Sequence, residues 1–156
     1  MIFAAWVAPL ALPICCQGAE RNRKAVSPQR RISVIEDDES LRLALVGLMK
    51  CVGYAATGYE SAERFLDSPE ASASECIITD INLPGLSGIE LTERLRDGGD
   101  RVPVIAITAR SDAALEQKTL ASGADYFLRK PFEMDELIAC IEAALASGRA
   151  PGRDSV

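Results

Sequence analysis

The stretch E-C-I-I-T-D-I-N-L-P-G-L-S-G-I-E-L, from Glu75 to Leu91, decides the fold. It begins with a short apolar and β-branched run, Cys76 to Thr79, which is typical of a strand buried on both faces. Asp80 follows where that strand should end, and the Pro- and Gly-containing segment Leu83 to Gly88 indicates a loop before a helix. In open α/β sheets, ligands bind outside the carboxyl ends of the strands. We therefore expect the Asp80 carboxylate at the mouth of a parallel sheet, beside water and any bound ion.

Four more strands are predicted, at Arg31 to Ile35, Tyr54 to Thr57, Val102 to Ile107 and Asp125 to Leu128. Three of them end on polar residues. The first runs into the acids Glu36-Asp37-Asp38-Glu39, the fourth ends on Thr108, and the fifth is followed by Arg129-Lys130. An acid pair, a further acid, a hydroxyl and an amine at one edge are the groups that phosphorylation of a carboxylate on Mg²⁺ needs.

Helical patterns lie between and after the strands, at about Ser40 to Cys51, Ser61 to Leu66, Gly88 to Arg96, Asp112 to Ala121 and Glu133 to Ala146. Ser111 is the predicted N-cap of the fourth helix. The first helix should bury Leu41, Leu45, Leu48 and Val52, and the last should bury Met134, Leu137, Ile138, Ile141 and Leu145. Strands that alternate with helices through right-handed crossovers predict an α/β fold with a doubly wound, five-stranded parallel sheet and five flanking helices.

Four motifs together resemble the CheY-like receiver domain of two-component response regulators: V-I-E-D-D, I-I-T-D-I-N-L-P-G-L-S-G, I-A-I-T-A and F-L-R-K-P-F. They occur in the family's order and at its spacing, and the resemblance covers roughly Arg31 to Ala146. The FixJ-like subgroup is the most similar part of the family. The resemblance implies the strand order 2-1-3-4-5, a histidine kinase or phosphotransfer protein as phosphoryl donor, and Mg²⁺ as cofactor.

The resemblance also assigns roles to single residues. Asp80 would be the phospho-acceptor, and Thr108 and Lys130 would contact the phosphoryl oxygens. Asp37 and Asp80 would bind Mg²⁺ directly, Glu36 through water, and Asn82 through its backbone carbonyl. Glu36 departs from the family, in which many members have Asp at this position.

Independently of the family, three carboxylates close together repel one another, which favours a hard divalent cation between them. Asp38 leaves the register of the acid pair ambiguous. We place the pair at Glu36 and Asp37 because Arg42 then has its usual spacing.

Two further positions match family features. Phe127 stands at the place of the switch aromatic, which follows Thr108 when the domain is phosphorylated, whereas Tyr126 should face the opposite side of the strand. Pro131 resembles the family's cis-proline. The face formed by the fourth helix, fifth strand and fifth helix, from Ser111 to Ala146, would then be the surface that changes and binds a downstream protein.

Length and composition bound the possibilities. With 156 residues, the chain is predicted to have an extension (1–29), one receiver domain (30–147) and a flexible tail (148–156). A net charge of −6 argues against nucleic-acid binding. The chain contains no His, so a phosphohistidine must come from another protein. Its five Cys form no C-x-x-C motif and are expected to be reduced core residues in a cytoplasmic protein.

The first sixteen residues are apolar but are interrupted by Pro9 and Pro13. A membrane-spanning helix needs about 20 consecutive apolar residues, and no basic residue precedes the run as in a secretory signal. We expect this extension to be disordered, or to result from a translation start assigned too far upstream, and we expect no membrane attachment. Deletion of Met1 to Gln29 should affect neither folding nor phosphorylation.

The favoured function is a stand-alone phospho-accepting receiver, a signalling module that is not a turnover enzyme beyond its own phosphorylation and dephosphorylation. A haloacid-dehalogenase-type phosphatase is the enzyme alternative, but it needs a second Asp two residues after the first, where this chain has Asn82. A receiver-shaped docking module that is never phosphorylated is the other alternative. No dinucleotide or P-loop motif is present in the sequence.

Overall fold

The structure, a computed structural model, describes residues 29–110 and 112–147. Within these residues five parallel strands alternate with five α-helices, in the order β1 (Arg31–Ile35), α1 (Glu39–Cys51), β2 (Ala55–Tyr59), α2 (Ala62–Leu66), β3 (Cys76–Asp80), α3 (Gly88–Asp97), β4 (Val104–Thr108), α4 (Ala113–Ala121), β5 (Tyr126–Arg129) and α5 (Met134–Ala146). A short 3₁₀ turn, Ala71–Ala73, precedes β3. The strand order is β2-β1-β3-β4-β5, so the predicted fold class and topology are confirmed.

The central strands β3 and β4 are the most deeply buried, because each has a neighbouring strand on both sides. All five residues of β3 and of β4 are buried. β3 pairs with β1 from Cys76 to Thr79 and with β4 from Ile77 to Asp80, which restrains its backbone. The edge strands β2 and β5 keep exposed positions. The carboxyl end of β3 is thus a rigid platform for the residues that follow it.

Two apolar clusters fill the two faces of the sheet. One holds buried residues of α2 and α3 and contacts Leu115 of α4, and the other holds buried residues of α1 and α5. Phe127 packs against the first cluster and Tyr126 against the second, so the prediction that they face opposite sides of β5 is confirmed.

The helix ends follow ordinary capping chemistry. Ser87 and Glu90 form a reciprocal capping box at the start of α3, which satisfies backbone donors that the helix leaves open. Ser111, the predicted cap of α4, lies outside the described residues; the N-cap is Asp112, whose carboxylate accepts a hydrogen bond from the Ala114 amide. No helix in the described part of the chain is long and apolar enough to cross a membrane.

The bounds of four strands differ from the prediction. β4 begins at Val104 and not at Val102, because Pro103 has no N–H group to offer the ladder. β2 runs from Ala55 to Tyr59 instead of Tyr54 to Thr57, because the whole of β1 pairs with it in register. β3 and β4 each end one residue later than predicted, so Asp80 and Thr108 are the last residues of their strands. β5 spans Tyr126–Arg129 instead of Asp125–Leu128.

Two predicted apolar faces are wrong at their ends. Val52 is 43% exposed and Met134 is 54% exposed; Val52 is the C-cap that follows α1, and Met134 is the first residue of α5. Met49 is fully buried in α1, one turn after Leu45, and Ala144 takes the corresponding place in α5. The buried stripe of each helix follows the positions that contact strands, and apolar residues at the ends fall outside it.

The three cysteines in the described residues divide by burial, which partly contradicts the prediction that they are core residues: Cys51 is exposed, Cys140 is half-buried and Cys76 is buried. Cys15 and Cys16 lie outside the described residues. Burial raises the pKa of the Cys76 thiol to about 12. Because the thiolate is the reactive form, iodoacetamide at pH 8 should alkylate Cys51 in the folded protein and leave Cys76 unmodified. Peptide mapping by mass spectrometry measures both, and guanidinium-unfolded protein, in which both react, is the control. Equal labelling of the two in folded protein would contradict the assigned burial.

Candidate functional site

Three carboxylates converge at the carboxyl edge of the sheet. β1 and β3 are adjacent, so Glu36 and Asp37, which follow β1, lie next to Asp80, which ends β3. One carboxylate oxygen from each of the three lies within 4.8 Å of the others. Glu36 is 1% exposed and Asp80 is 6% exposed, whereas Asp37 faces solvent. The cluster is thus a partly buried acidic pocket with one open side.

Lys130 reaches this pocket from the far side of β4. Its Nζ donates to Asp80 Oδ2 at 2.6 Å and to Glu36 Oε2 at 2.9 Å. The peptide bond between Lys130 and Pro131 is cis, as the family resemblance implied. The ammonium group of Lys130 therefore contacts two acids that lie 50 and 94 positions earlier in the sequence, Asp80 and Glu36.

The charges in the pocket are not balanced. Burial raises the pKa of the Glu36 carboxyl and the nearby Asp80 charge adds to that effect, whereas the hydrogen bond from Lys130 opposes it. Burial also opposes the charge of Lys130, but hydrogen bonds to Asp80 and Glu36 outweigh it and raise its pKa above the ordinary value. Lys130 is therefore protonated at neutral pH. Three carboxylates and one ammonium leave an excess of negative charge at this edge.

The donor set of the pocket fits a hard divalent cation. Mg²⁺ binds carboxylate oxygens and keeps several waters, and the pocket offers three carboxylates, one of them open to solvent. A divalent cation would offset the negative charge that the carboxylates leave beside Lys130. Glu36, Asp37 and Asp80 are the side chains that could hold the ion, and the Asn82 carbonyl remains a prediction.

The backbone after β3 holds the Asp80 carboxylate in place. Asp80 Oδ1 accepts a hydrogen bond from the Asn82 amide at 2.8 Å, while Oδ2 faces Lys130. Each oxygen accepts one hydrogen bond from the described residues and has two lone pairs, so each can still act as a nucleophile. Gly88 packs directly against this turn, and a side chain there would collide with the Asp80 carbonyl oxygen.

Thr108 lies beside Asp80 because β4 pairs with β3, with Asp80 opposite Ile107. Its side chain is fully buried, and its oxygen accepts hydrogen bonds from Asn82 Nδ2 and from the Arg110 amide, both at 3.1 Å. The structure thus brings together Glu36, Asp37, Asp80, Asn82, Thr108 and Lys130, all of which the sequence had singled out.

The structure separates Asp38 from the acidic pocket. Asp38 caps α1, accepting from the Leu41 amide at 2.8 Å, and it does not belong to the cluster of three acids. Arg42 donates to the carbonyl oxygen of Glu36 at 2.7 Å and thereby supports the turn after β1. This arrangement favours the register in which Glu36 and Asp37 are the acid pair.

Phe127 lies on β5 directly beside Ala106 of β4 and is half-buried. It is two residues from the strand pair that ends in Thr108, so a movement of Thr108 could reach it through β4. Its role as a switch stays a prediction.

Sequence reasoning missed the polar contact that holds the loop after β3. Glu63 of α2 accepts a hydrogen bond from the Leu86 amide at 2.8 Å and so anchors the loop between β3 and α3. Hydrogen bonds from backbone amides lower the pKa of the Glu63 carboxyl. No local pattern signals this contact, because the partners are 23 residues apart and meet only in the folded chain.

Comparisons with known proteins agree with this geometry. The sequence profile of the response regulator receiver domain matches residues 32–142. The transcriptional regulatory protein FixJ of Azorhizobium caulinodans is 37% identical over 122 residues, which is 78% of this chain and 58% of that protein. The crystal structure of FixJ-N superposes with a TM-score of 0.69 at 29% identity, covering 77% of this chain and 96% of that one. The BeF3-activated DrrB receiver domain superposes with a TM-score of 0.70 at 26% identity, covering 76% and 98% of the two chains.

The chain belongs to the receiver domain family of response regulators, the phospho-accepting signalling modules of two-component systems. Its relatives place it near the FixJ proteins. The chain spans between half and three-fifths of the length of the curated relatives it matches. Phosphorylation, Mg²⁺ and interaction with histidine kinases are typical of this family.

Proposed function

We propose that this chain is a receiver in which Asp80 accepts a phosphoryl group from the phosphohistidine of a histidine kinase or phosphotransfer protein. The observation that carries the proposal is the contact of Lys130 Nζ with both Asp80 and Glu36, at 2.6 and 2.9 Å. An ammonium held between a candidate nucleophile and a buried acid is poised to meet the negative charge of an incoming phosphoryl group.

The reaction proposed is a direct transfer. A carboxylate oxygen of Asp80 attacks phosphorus, the bond between phosphorus and the donor's imidazole nitrogen breaks, and that nitrogen keeps the electron pair. The product is an acyl phosphate on Asp80. Because the transition state is loose, the protein contributes mainly position and charge stabilisation. Asp80 is already positioned by the Asn82 amide, and β3 cannot shift easily between its two paired neighbours.

The surrounding groups would each meet one part of the phosphoryl group. Lys130 would exchange a carboxylate contact for a phosphoryl oxygen, and the Thr108 hydroxyl would donate to another. Mg²⁺, held by Asp37, Asp80 and the Asn82 carbonyl directly and by Glu36 through water, would neutralise the negative charge of the phosphoryl oxygens. The same residues would position water for hydrolysis of the acyl phosphate, so self-catalysed dephosphorylation is the only turnover we assign.

The proposed output is a change of the face formed by α4, β5 and α5. Movement of Thr108 toward the phosphoryl group would leave space that Phe127 enters, and the face would then bind a downstream protein in the cytoplasm. We propose no nucleic-acid contact for this domain. The phosphatase alternative is not supported, because Asn82 uses its amide to donate to Thr108 and offers no acid.

The experiment is intact-mass analysis of the full chain after incubation with acetyl phosphate and Mg²⁺. We expect the mass to rise by one phosphoryl group, and we expect no rise when EDTA replaces Mg²⁺. Because an acyl phosphate is labile to hydroxylamine, that reagent should remove the added mass. No added mass with Mg²⁺ present would refute phospho-acceptance and leave the unphosphorylated docking module as the better reading.

A second prediction concerns the metal. Mg²⁺ should raise the melting temperature of the wild-type chain, because binding to the folded state stabilises by RT ln(1 + [L]/Kd). Asp37→Ala should remove most of that rise, since Asp37 is the solvent-facing acid of the cluster. Thermal denaturation at increasing Mg²⁺ concentrations measures the effect, with Asp38→Ala as the control because Asp38 lies outside the cluster. An unchanged Mg²⁺-dependent rise in Asp37→Ala would move the metal elsewhere.

A further inference from the structure

The hydroxyl of Thr108 has an unusual set of partners. Its oxygen is buried and accepts two N–H groups, Nδ2 of Asn82 and the backbone amide of Arg110, each at 3.1 Å. The first donor comes from the loop after β3 and the second from the loop after β4. Two independent segments of the chain therefore converge on one hydroxyl oxygen.

A threonine hydroxyl has two acceptor lone pairs and one proton to donate. Two donors that occupy both lone pairs leave the hydroxyl only its role as a donor. In the described residues, Thr108 Oγ1 donates to no other group. Its proton can thus be donated to an oxygen that enters the site.

The same asparagine also contacts the nucleophile. The Asn82 backbone amide donates to Asp80 Oδ1 at 2.8 Å while its side chain donates to Thr108. One residue therefore spans the distance between the carboxylate and the hydroxyl. A phosphoryl group on Asp80 carries oxygens that only accept hydrogen bonds, and it would lie within reach of a hydroxyl fixed as a donor.

We propose that Asn82 is a positioning residue whose carboxamide sets the donor orientation of the Thr108 hydroxyl toward a phosphoryl group on Asp80. This rests on the proposed function of Asp80. The Arg110 donor is a backbone amide, so a substitution at position 110 would not remove it. The Asn82 donor is a side chain, so a substitution at position 82 removes that contact. Without it, the hydroxyl regains an open lone pair and can rotate its proton away from the phosphoryl oxygen or accept from water.

The side chain of Asn82 is suited to such a test. Asn82 is exposed, so its truncation leaves the apolar core intact, and its backbone amide keeps the bond to Asp80. If Asn82 acts through Thr108, removal of its side chain matters only while the Thr108 hydroxyl is present. That dependence is what a double-mutant cycle measures.

The experiment measures the affinity of four full-length chains for trifluoroberyllate, a phosphoryl mimic, at a saturating Mg²⁺ concentration. The chains are wild type, Asn82→Ala, Thr108→Val and the double variant, and ¹⁹F NMR reports both the bound fraction and the shift of the bound fluorines. Melting temperatures show whether each variant is folded. Thr108→Ala replaces Thr108→Val if the latter does not fold.

We expect Thr108→Val to weaken binding roughly tenfold, as for loss of one hydrogen bond to a charged group. Asn82→Ala should weaken it several-fold in the Thr108 background and less than about twofold in the Thr108→Val background. Both single variants should shift the same bound ¹⁹F resonance, because both disturb the same donated hydrogen bond. A merely structural role of Asn82 would not produce that shared shift.

The failures are distinguishable. Suppose that the wild type binds trifluoroberyllate and that Asn82→Ala changes the affinity equally in both backgrounds, or in neither. That result overturns the orienting role of Asn82 and leaves the proposed function of Asp80 intact. Wild type that binds no trifluoroberyllate overturns the proposed function and this inference with it.

Discussion

The Asp80→Asn variant should gain no phosphoryl mass when it is incubated with Mg²⁺ and acetyl phosphate under conditions in which the wild-type chain is phosphorylated. The substitution keeps the shape of the side chain and one oxygen, which can still accept from the Asn82 amide as Asp80 Oδ1 does. The NH2 group that takes the place of Oδ2 no longer accepts from Lys130. The substitution removes the carboxylate, and an amide is a poor nucleophile toward phosphorus. The expected loss is therefore of the reaction and not of the fold, and intact-mass analysis measures it directly.

The matched control for this prediction is Asp38→Asn. It also replaces an Asp by Asn, but the Asp38 side chain caps α1 and does not belong to the acidic cluster. Asn is about as good an N-cap as Asp, so the fold should be unaffected. Asp38→Asn should therefore take up phosphoryl groups like wild type. Equal added mass in wild type and Asp80→Asn would show that another residue is modified. Loss of uptake in Asp38→Asn would instead move the acid pair to Asp37 and Asp38.

The sequence is most informative where one physical effect dominates. β3 could be predicted from Cys76 to Thr79 because a continuous apolar run of this length has few alternatives to a buried strand. The convergence of Glu36, Asp80 and Thr108 followed from the parallel sheet, since neighbouring strands end at the same edge. The order of the strands came from the family resemblance and not from the residues.

The sequence is less informative where several elements meet. Val52 and Met134 continue the helical pattern, yet one follows the last residue of α1 and the other begins α5, and both are exposed. Periodicity alone does not show where the buried part of a helix ends. The side-chain bond from Asn82 to Thr108 joins positions 26 residues apart, and the bond from Leu86 to Glu63 joins positions 23 apart. Neither follows from periodicity, because each depends on the relative placement of two loops or of a loop and a helix.

The close approach of α3 to the end of β3 depends on Gly88, the first residue of the helix. The Gly88 amide donates to the Ile81 carbonyl oxygen at 3.1 Å, so helix and strand end are in direct contact. A Cβ atom at this position would collide with the carbonyl oxygen of Asp80 and would lie 3.0 Å from Ile81 Cα. These neighbours are backbone atoms at the end of β3, where Asp80 pairs with Ile107 of β4 and the Ile81 amide donates to the Ile107 carbonyl oxygen at 2.9 Å. They therefore cannot move aside as a flexible side chain would.

Gly88→Ala should therefore destabilise the chain by about 2–3 kcal/mol, the upper part of the range for overpacking a buried site. Helix propensity favours Ala over Gly by about 1 kcal/mol, but that gain is smaller than the cost of displacing paired backbone. Because the displaced atoms belong to Asp80 itself, phosphoryl uptake by the folded variant should also slow. Urea unfolding monitored by circular dichroism gives the stability, and intact mass gives the uptake.

Gly47→Ala is the matched control for Gly88→Ala, because Gly47 is also helical but has no atom within 4 Å of the added Cβ. There the helix propensity acts alone, and the variant should be more stable than wild type by about 0.5–1 kcal/mol. Opposite signs for the same substitution in two helices would show that contact with the Asp80 backbone, and not helix formation, decides the outcome. A Gly88→Ala chain as stable as wild type would mean that α3 can move away from β3, and the rigid platform inferred for Asp80 would be wrong.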